Sequence, residues 1–194
     1  MNFSTKYLQD VSKIALLLDI AVIENFVEQL ALLKKSGGRL FVLGVGGSAA
    51  NSSHAVNDFR KLAGIEAYAP TDNVAEFSAR ANDEGWETTF EGYLRSSNLT
   101  KLDAILVLSV GGGNLQQEVS VNLCRAIDYA NKLGSITMAI VGKQQGHAQE
   151  KANLCLIIPE VSPNFVTPYS ESFQAVIWHL LVSHPKLRQN QTKW

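Results

Sequence analysis

The chain has 194 residues, of which 46% are hydrophobic and 18% charged, and its formal net charge is -1. That length suits one domain able to bury its own core, and balanced charge with no long Lys/Arg run argues against nucleic acid or an anionic membrane as principal partner. No apolar stretch approaches a membrane span, and the start Met1-Asn2-Phe3-Ser4-Thr5-Lys6-Tyr7 lacks the pattern of a secretory signal, so a cytoplasmic location is expected.

From about Lys6 to Lys35, Val11, Ala15, Leu18, Val22, Phe26, Leu30 and Leu33 recur at helical spacing, and Leu16, Leu17, Ile20, Ala21 and Ile23 widen the stripe. This predicts either one long helix or two helices broken near Asp19, apolar enough to meet a neighbouring subunit as well as the sheet. The low charged fraction, against an average of about 25%, also fits burial in an oligomer.

After Gly37-Gly38 come short continuous apolar runs that suit strands covered on both faces: Leu40 to Leu43, Ala104 to Leu108, Ile136 to Val141 and Leu154 to Ile158, with a weaker one at Ile65 to Tyr68. Between them, helical spacing marks Ala49 to Leu62, Val74 to Ala81, Trp86 to Leu94, Leu115 to Leu133 and Ala148 to Lys151. A last helix is expected from about Ser170 to Val182, after Pro168 and before Pro185. Strands alternating with helices imply crossover units. The fold class is α/β: a three-layer sandwich on a central, mostly parallel five-stranded sheet, preceded by an N-terminal helical segment. One domain is expected over residues 1–185, with a loosely held polar tail over 186–194. Cys124 and Cys155 have no partner at metal-ligand spacing and read as reduced core thiols.

One internal echo stands out. Val42-Leu43-Gly44-Val45-Gly46-Gly47-Ser48 is matched by Val107-Leu108-Ser109-Val110-Gly111-Gly112-Gly113, each a buried strand running into a glycine turn that opens a helix. Free N–H groups and partial positive charge at a helix start make an anion site, so Gly46, Gly47 and Ser48 are candidate phosphate ligands. Neither turn is followed by Gly-Lys-Ser/Thr, and the first lacks the dinucleotide spacing, so a monophosphate fits better than a nucleotide.

His54 and Asp58 stand four apart on the helix opened by the first turn, and Glu171 and His179 eight apart on the last helix, so each pair shares a face. Such pairs also arise as intrahelical hydrogen bonds or satisfied core histidines. Near a phosphate turn they suit aldose–ketose isomerisation, in which a proton moves between C1 and C2 through an enediol while a second group exchanges protons with the sugar oxygens. The four side chains could instead hold zinc, which takes N and O ligands and polarises a carbonyl.

Gly44-Val45-Gly46-Gly47-Ser48-Ala49-Ala50, His54, Asn82-Asp83 followed by Gly85, and His179 together resemble the SIS-domain phosphoheptose isomerases, over nearly the whole chain. The resemblance implies conversion of sedoheptulose 7-phosphate to glycero-manno-heptose 7-phosphate in a homotetramer with sites at subunit boundaries. It implies phosphate or substrate contacts from Ser48, Asn82 and Ser109 and, since Val110, Gly111 and Asn114 stand where the family has hydroxyls, from backbone N–H groups around Gly111, Gly112 and Gly113 and from the Asn114 amide. It also implies His179 as acid, Asp58 as base, Asp83 near the active site, and zinc on His54, Asp58, Glu171 and His179. Asp58 replaces the family's glutamate and Glu171 its glutamine, so Glu171 is the alternative base. A non-catalytic sugar-phosphate sensor or tetrameric adaptor, similar to the proteins that associate with replication initiators, is the competing reading, and a lyase or epimerase using the same enediol is a third.

Overall fold

A computed structural model describes residues 1–192. The first helical stretch is two helices, α1 (Phe3–Leu17) and α2 (Ile20–Ser36). The break has a local cause: Leu18 turns extended at ψ 139°, and the Asp19 side chain accepts from the Val22 N–H at 3.1 Å as an N-cap. Gly37, at φ 70°, closes α2 in the left-handed region.

Five strands follow: β1 (Leu40–Gly44), β2 (Ala67–Tyr68), β3 (Ala104–Ser109), β4 (Ile136–Val141) and β5 (Leu154–Ile157). They form one sheet in the order β2-β1-β3-β4-β5, every pair parallel. The central strands are buried on both faces, hence their unbroken apolar sequence. Alternate residues feed two cores. Leu40, Val42, Leu106, Leu108, Met138 and Ile140 pack with α1, α2, α3 (Gly47–Asp58) and α8 (Val166–Ser183). Phe41, Leu43, Ile105, Val107, Ala139 and Val141 pack on the other face with α4 (Val74–Asp83), α5 (Thr89–Ser96), α6 (Val121–Leu133) and α7 (His147–Lys151).

Chain order reverses between β1 and β3, because β2 lies to one side of β1 and β3 to the other. Gly44 pairs in register with Leu108, so both glycine turns open at this switch point, where ligands of open α/β sheets gather.

Three expectations are corrected. Residues 115–120 are not helical: the Asn114 carboxamide accepts from the Gln117 N–H at 2.8 Å, Asn114 and Val119 form a bridge, and Glu118 and Ser120 have φ of 54° and 49°. An Asx turn thus displaces the helix start to Val121. The last helix begins at Val166 rather than near Ser170 and includes Pro168, which the first turn tolerates because its N–H groups have no intrahelical acceptor. The stretch after Pro185 is anchored through residue 190, since Leu187 is fully buried and the Gln189 and Asn190 N–H groups donate to the Leu62 carbonyl. Lys193 and Trp194, the end of the expected polar tail, lie outside the described residues. Among the described residues no helix is long and apolar enough to cross a membrane.

Candidate metal and substrate site

α3 leaves the first glycine turn and packs along α8, with polar contacts that climb both helices together. Asn51 Nδ2 donates to the Glu171 carbonyl at 2.9 Å and to Gln174 Oε1 at 2.8 Å, and Gln174 Nε2 donates to Ser48 Oγ at 3.0 Å. Further along, Trp178 Nε1 donates to Asp58 Oδ2 at 3.2 Å. This register brings His54 and Asp58 of α3 to His179 of α8.

His54 Nε2 lies 3.5 Å and His179 Nε2 3.3 Å from Asp58 Oδ2, and the two imidazole centroids are 5.3 Å apart. One ligand atom from each residue lies within 4.8 Å of the others. Both histidines are exposed, whereas Asp58 is only 7% exposed. His179 Nδ1 is 2.8 Å from the Ala175 carbonyl, which can only accept, so Nδ1 carries a proton. In the neutral ring Nε2 then turns a lone pair toward an ionised carboxylate. Such an arrangement is repulsive unless a cation or a second proton lies between them, and two imidazoles plus a carboxylate form a suitable donor set for zinc. An α-helix turns just past Asp58 into a π-helical segment, Phe59–Ala63, a widening often found at functional sites.

Glu171 is not brought into this cluster. Eight residues put it on the same side of α8 as His179, but about 12 Å away along the axis. Its carboxylate instead lies over the first turn: a Cβ placed on Gly47 would come within 2.5 Å of both carboxylate oxygens. A negative group therefore already faces the positive end of α3, beside exposed Gly46 and Gly47. Ser48, expected to point at a ligand, is 2% exposed and accepts from Gln174, so its hydroxyl serves the contact between α3 and α8.

In the second turn Ser109 is buried and its hydroxyl accepts from the Gly112 N–H at 3.0 Å. Gly112 and Gly113 have φ of 74° and 80°, and their carbonyls accept from Ala148 and His147. Gly111 is half-buried with open space at its Cβ position, and Asn114 uses its carboxamide oxygen within its own turn. What this turn offers a ligand is thus chiefly Gly111 backbone and the Asn114 amide nitrogen. Asn82 and Asp83 are exposed at the end of α4 and bonded to each other at 2.6 Å.

Three contributors escape the sequence. Trp178 lies in the apolar stripe of α8, where nothing distinguishes an indole that donates from one that only packs. Gln174 and Asn57, which donates to Asp58 Oδ1 at 3.0 Å, are polar residues on helices of mixed character. A polar residue inside an otherwise apolar face, as Gln174 is, was the one available signal.

No family model matches the chain. It is 30% identical over 156 residues to the lincomycin biosynthesis protein LmbN of Streptomyces lincolnensis, covering 77% of this chain and 56% of that one. To a phosphoheptose isomerase of Chlorobium phaeobacteroides it is 30% identical over 150 residues, 72% of this chain and 62% of the relative. The chain thus spans less than two thirds of these two relatives' lengths. A phosphoheptose isomerase of Trichlorobacter lovleyi is 28% identical, with 83% and 79% covered. The fold matches the structure of a phosphoheptose isomerase from Francisella tularensis at a TM-score of 0.76 and 21% identity, over 94% of this chain and 97% of the other. In sequence the chain is thus similar to phosphoheptose isomerases, and in fold, with its parallel sheet and the glycine turn that opens α3, it matches a solved one.

Proposed function

We propose that the protein is an aldose–ketose isomerase of a sugar phosphate, with sedoheptulose 7-phosphate or a close relative as substrate and D-glycero-D-manno-heptose 7-phosphate or its counterpart as product. The observation that carries this reading is the convergence of His54 and Asp58, on the helix that the first glycine turn opens, with His179 of α8.

In this reading the open backbone of the second turn at Gly111, with the Asn114 amide, holds the phosphate. Asp58, held by neighbouring donors, is the base that moves a proton between C1 and C2, and His179 exchanges a proton with the sugar oxygen. Glu171 is the second carboxylate, placed to meet the substrate nearer the first turn, and Asn82 and Asp83 meet it from α4. In the alternative form of this reading His54, Asp58 and His179 would instead be zinc ligands, and the ion would polarise the carbonyl and so favour the enediol. Two features support a homotetramer with sites at subunit boundaries. Phe3, Leu8, Leu16, Leu17, Ile20 and Leu32 expose apolar surface on α1 and α2, and both histidines stand open on one protomer.

A panel of pentulose, hexulose and heptulose phosphates, assayed by NMR with and without zinc, tests the proposal. Formation of an aldose phosphate from one of them supports it. No turnover of any member, together with a stable protein partner in a pull-down, would favour the sensor or adaptor.

A further inference from the structure

One buried side chain touches all three groups of the cluster. Trp178 is 1% exposed, and its ring lies 5.3 Å from the His54 ring and 5.0 Å from the His179 ring, tilted 61° and 36° to them. Its Nε1–H reaches Asp58 Oδ2 at 3.2 Å.

An indole nitrogen donates only, so this bond orients the carboxylate whatever the state of the histidines. Asn57 holds the other oxygen, Oδ1. With a donor on each oxygen the carboxylate plane is set, and Oδ2 is presented to both imidazole nitrogens at once. Aspartate, ending α3 on a short stem, has little reach of its own, so its direction depends on these donors. The bond is also hard to give up: a buried indole N–H without an acceptor is costly. The ring supplies a second constraint, since packing against both imidazoles limits how far either can rotate.

We infer that Trp178 is the positioning residue of this centre, aiming Asp58 Oδ2 at the point between His54 and His179 and bracing the two rings around it. The inference rests on the metal reading above, and it makes Trp178 a built-in optical reporter of occupancy, because any ion there lies against the indole.

The test uses the full chain and zinc alone as probe. Zinc affinity is measured by competition with a chromophoric chelator for wild type and Trp178→Phe, which keeps an aromatic ring against the histidines but removes the donor. About 10–100-fold weaker binding is expected, as for the loss of other hydrogen bonds that orient metal ligands, with far-UV circular dichroism unchanged. In parallel, Trp178 emission is followed in a Trp86→Phe, Trp194→Phe background, where it should change on zinc addition and saturate at the chelator-derived stoichiometry. If wild type binds no zinc, the metal reading falls and this inference with it. If wild type binds zinc and Trp178→Phe binds it equally well, Trp178 does not position Asp58 and the metal reading stands alone. Should Trp178→Phe fail to fold, the emission decides: zinc bound without any change in it overturns the inference.

Discussion

His179 Nε2 lies 3.3 Å from Asp58 Oδ2 while the Nδ1 proton of the same ring is engaged by the Ala175 carbonyl. An acceptor therefore faces an acceptor in the neutral state, and a bound cation relieves the repulsion. Zinc at about 100-fold over its dissociation constant should stabilise the fold by about 2.7 kcal/mol, which raises the melting temperature of a chain this size by about 5–10 °C. Differential scanning fluorimetry should show that rise in wild type, its reversal by chelator, and its loss in His54→Ala and His179→Ala.

Glu171 places a carboxylate against Gly47 at the opening of α3. Neutralising it should favour any anion that shares the turn. With the phosphate on the second turn, Glu171→Gln is expected to change the affinity for inorganic phosphate by less than about twofold, whereas an anion on the first turn would gain about 0.3–1 kcal/mol, the worth of a charge at a helix end. Isothermal titration calorimetry reads this directly, and clearly tighter binding would mean that phosphate shares the first turn.

Ser48 separates a structural from a binding role. Gln174 is fully buried, and Ser48→Ala takes the acceptor from its amide. Such a loss costs about 1–3 kcal/mol. Urea unfolding should show that decrease while phosphate affinity stays at the wild-type value; a direct Ser48 contact to phosphate would instead lower the affinity.

Asp103 governs the acid side of stability. Burial by itself would raise its carboxyl, but bonds from the Arg39 guanidinium and backbone, and from Thr100, outweigh burial and hold it below the ordinary carboxylate value. Because the folded value is depressed, the stabilisation is complete above the unfolded carboxylate range and is lost as pH falls through the folded value. Asp103→Asn should lower stability at neutral pH by about 3 kcal/mol, since it leaves a half-buried guanidinium without its counter-charge. Its stability should also fall less steeply with acid than that of wild type, as measured by denaturant unfolding between neutral and acidic pH.

The strands were legible because burial on both faces leaves an apolar run that no surface helix shares, and the break at Asp19 because aspartate is a helix-capping residue. Leu115 to Ser120 misled because its apolar spacing is helical while the Asn114 side chain commits the backbone to a turn. The cluster was legible in part. His54 and Asp58 share a face by local geometry, whereas their meeting with His179 depends on how α8 slides along α3. Glu171 shows the limit of the same reasoning, for a common face does not imply a common position along the axis. The Trp178 bond to Asp58 joins two elements 120 residues apart and left no trace in either local pattern.

If His54, Asp58 and His179 surround the reacting end of a phosphosugar, converting sedoheptulose 7-phosphate in deuterated water and reading the aldose product by NMR will reveal it. Wild type should place deuterium at C2 of the product, and the reaction should be lost in His179→Ala while that variant remains folded. An aldose formed with no solvent deuterium at C2, or one formed equally fast by His179→Ala, would contradict that arrangement.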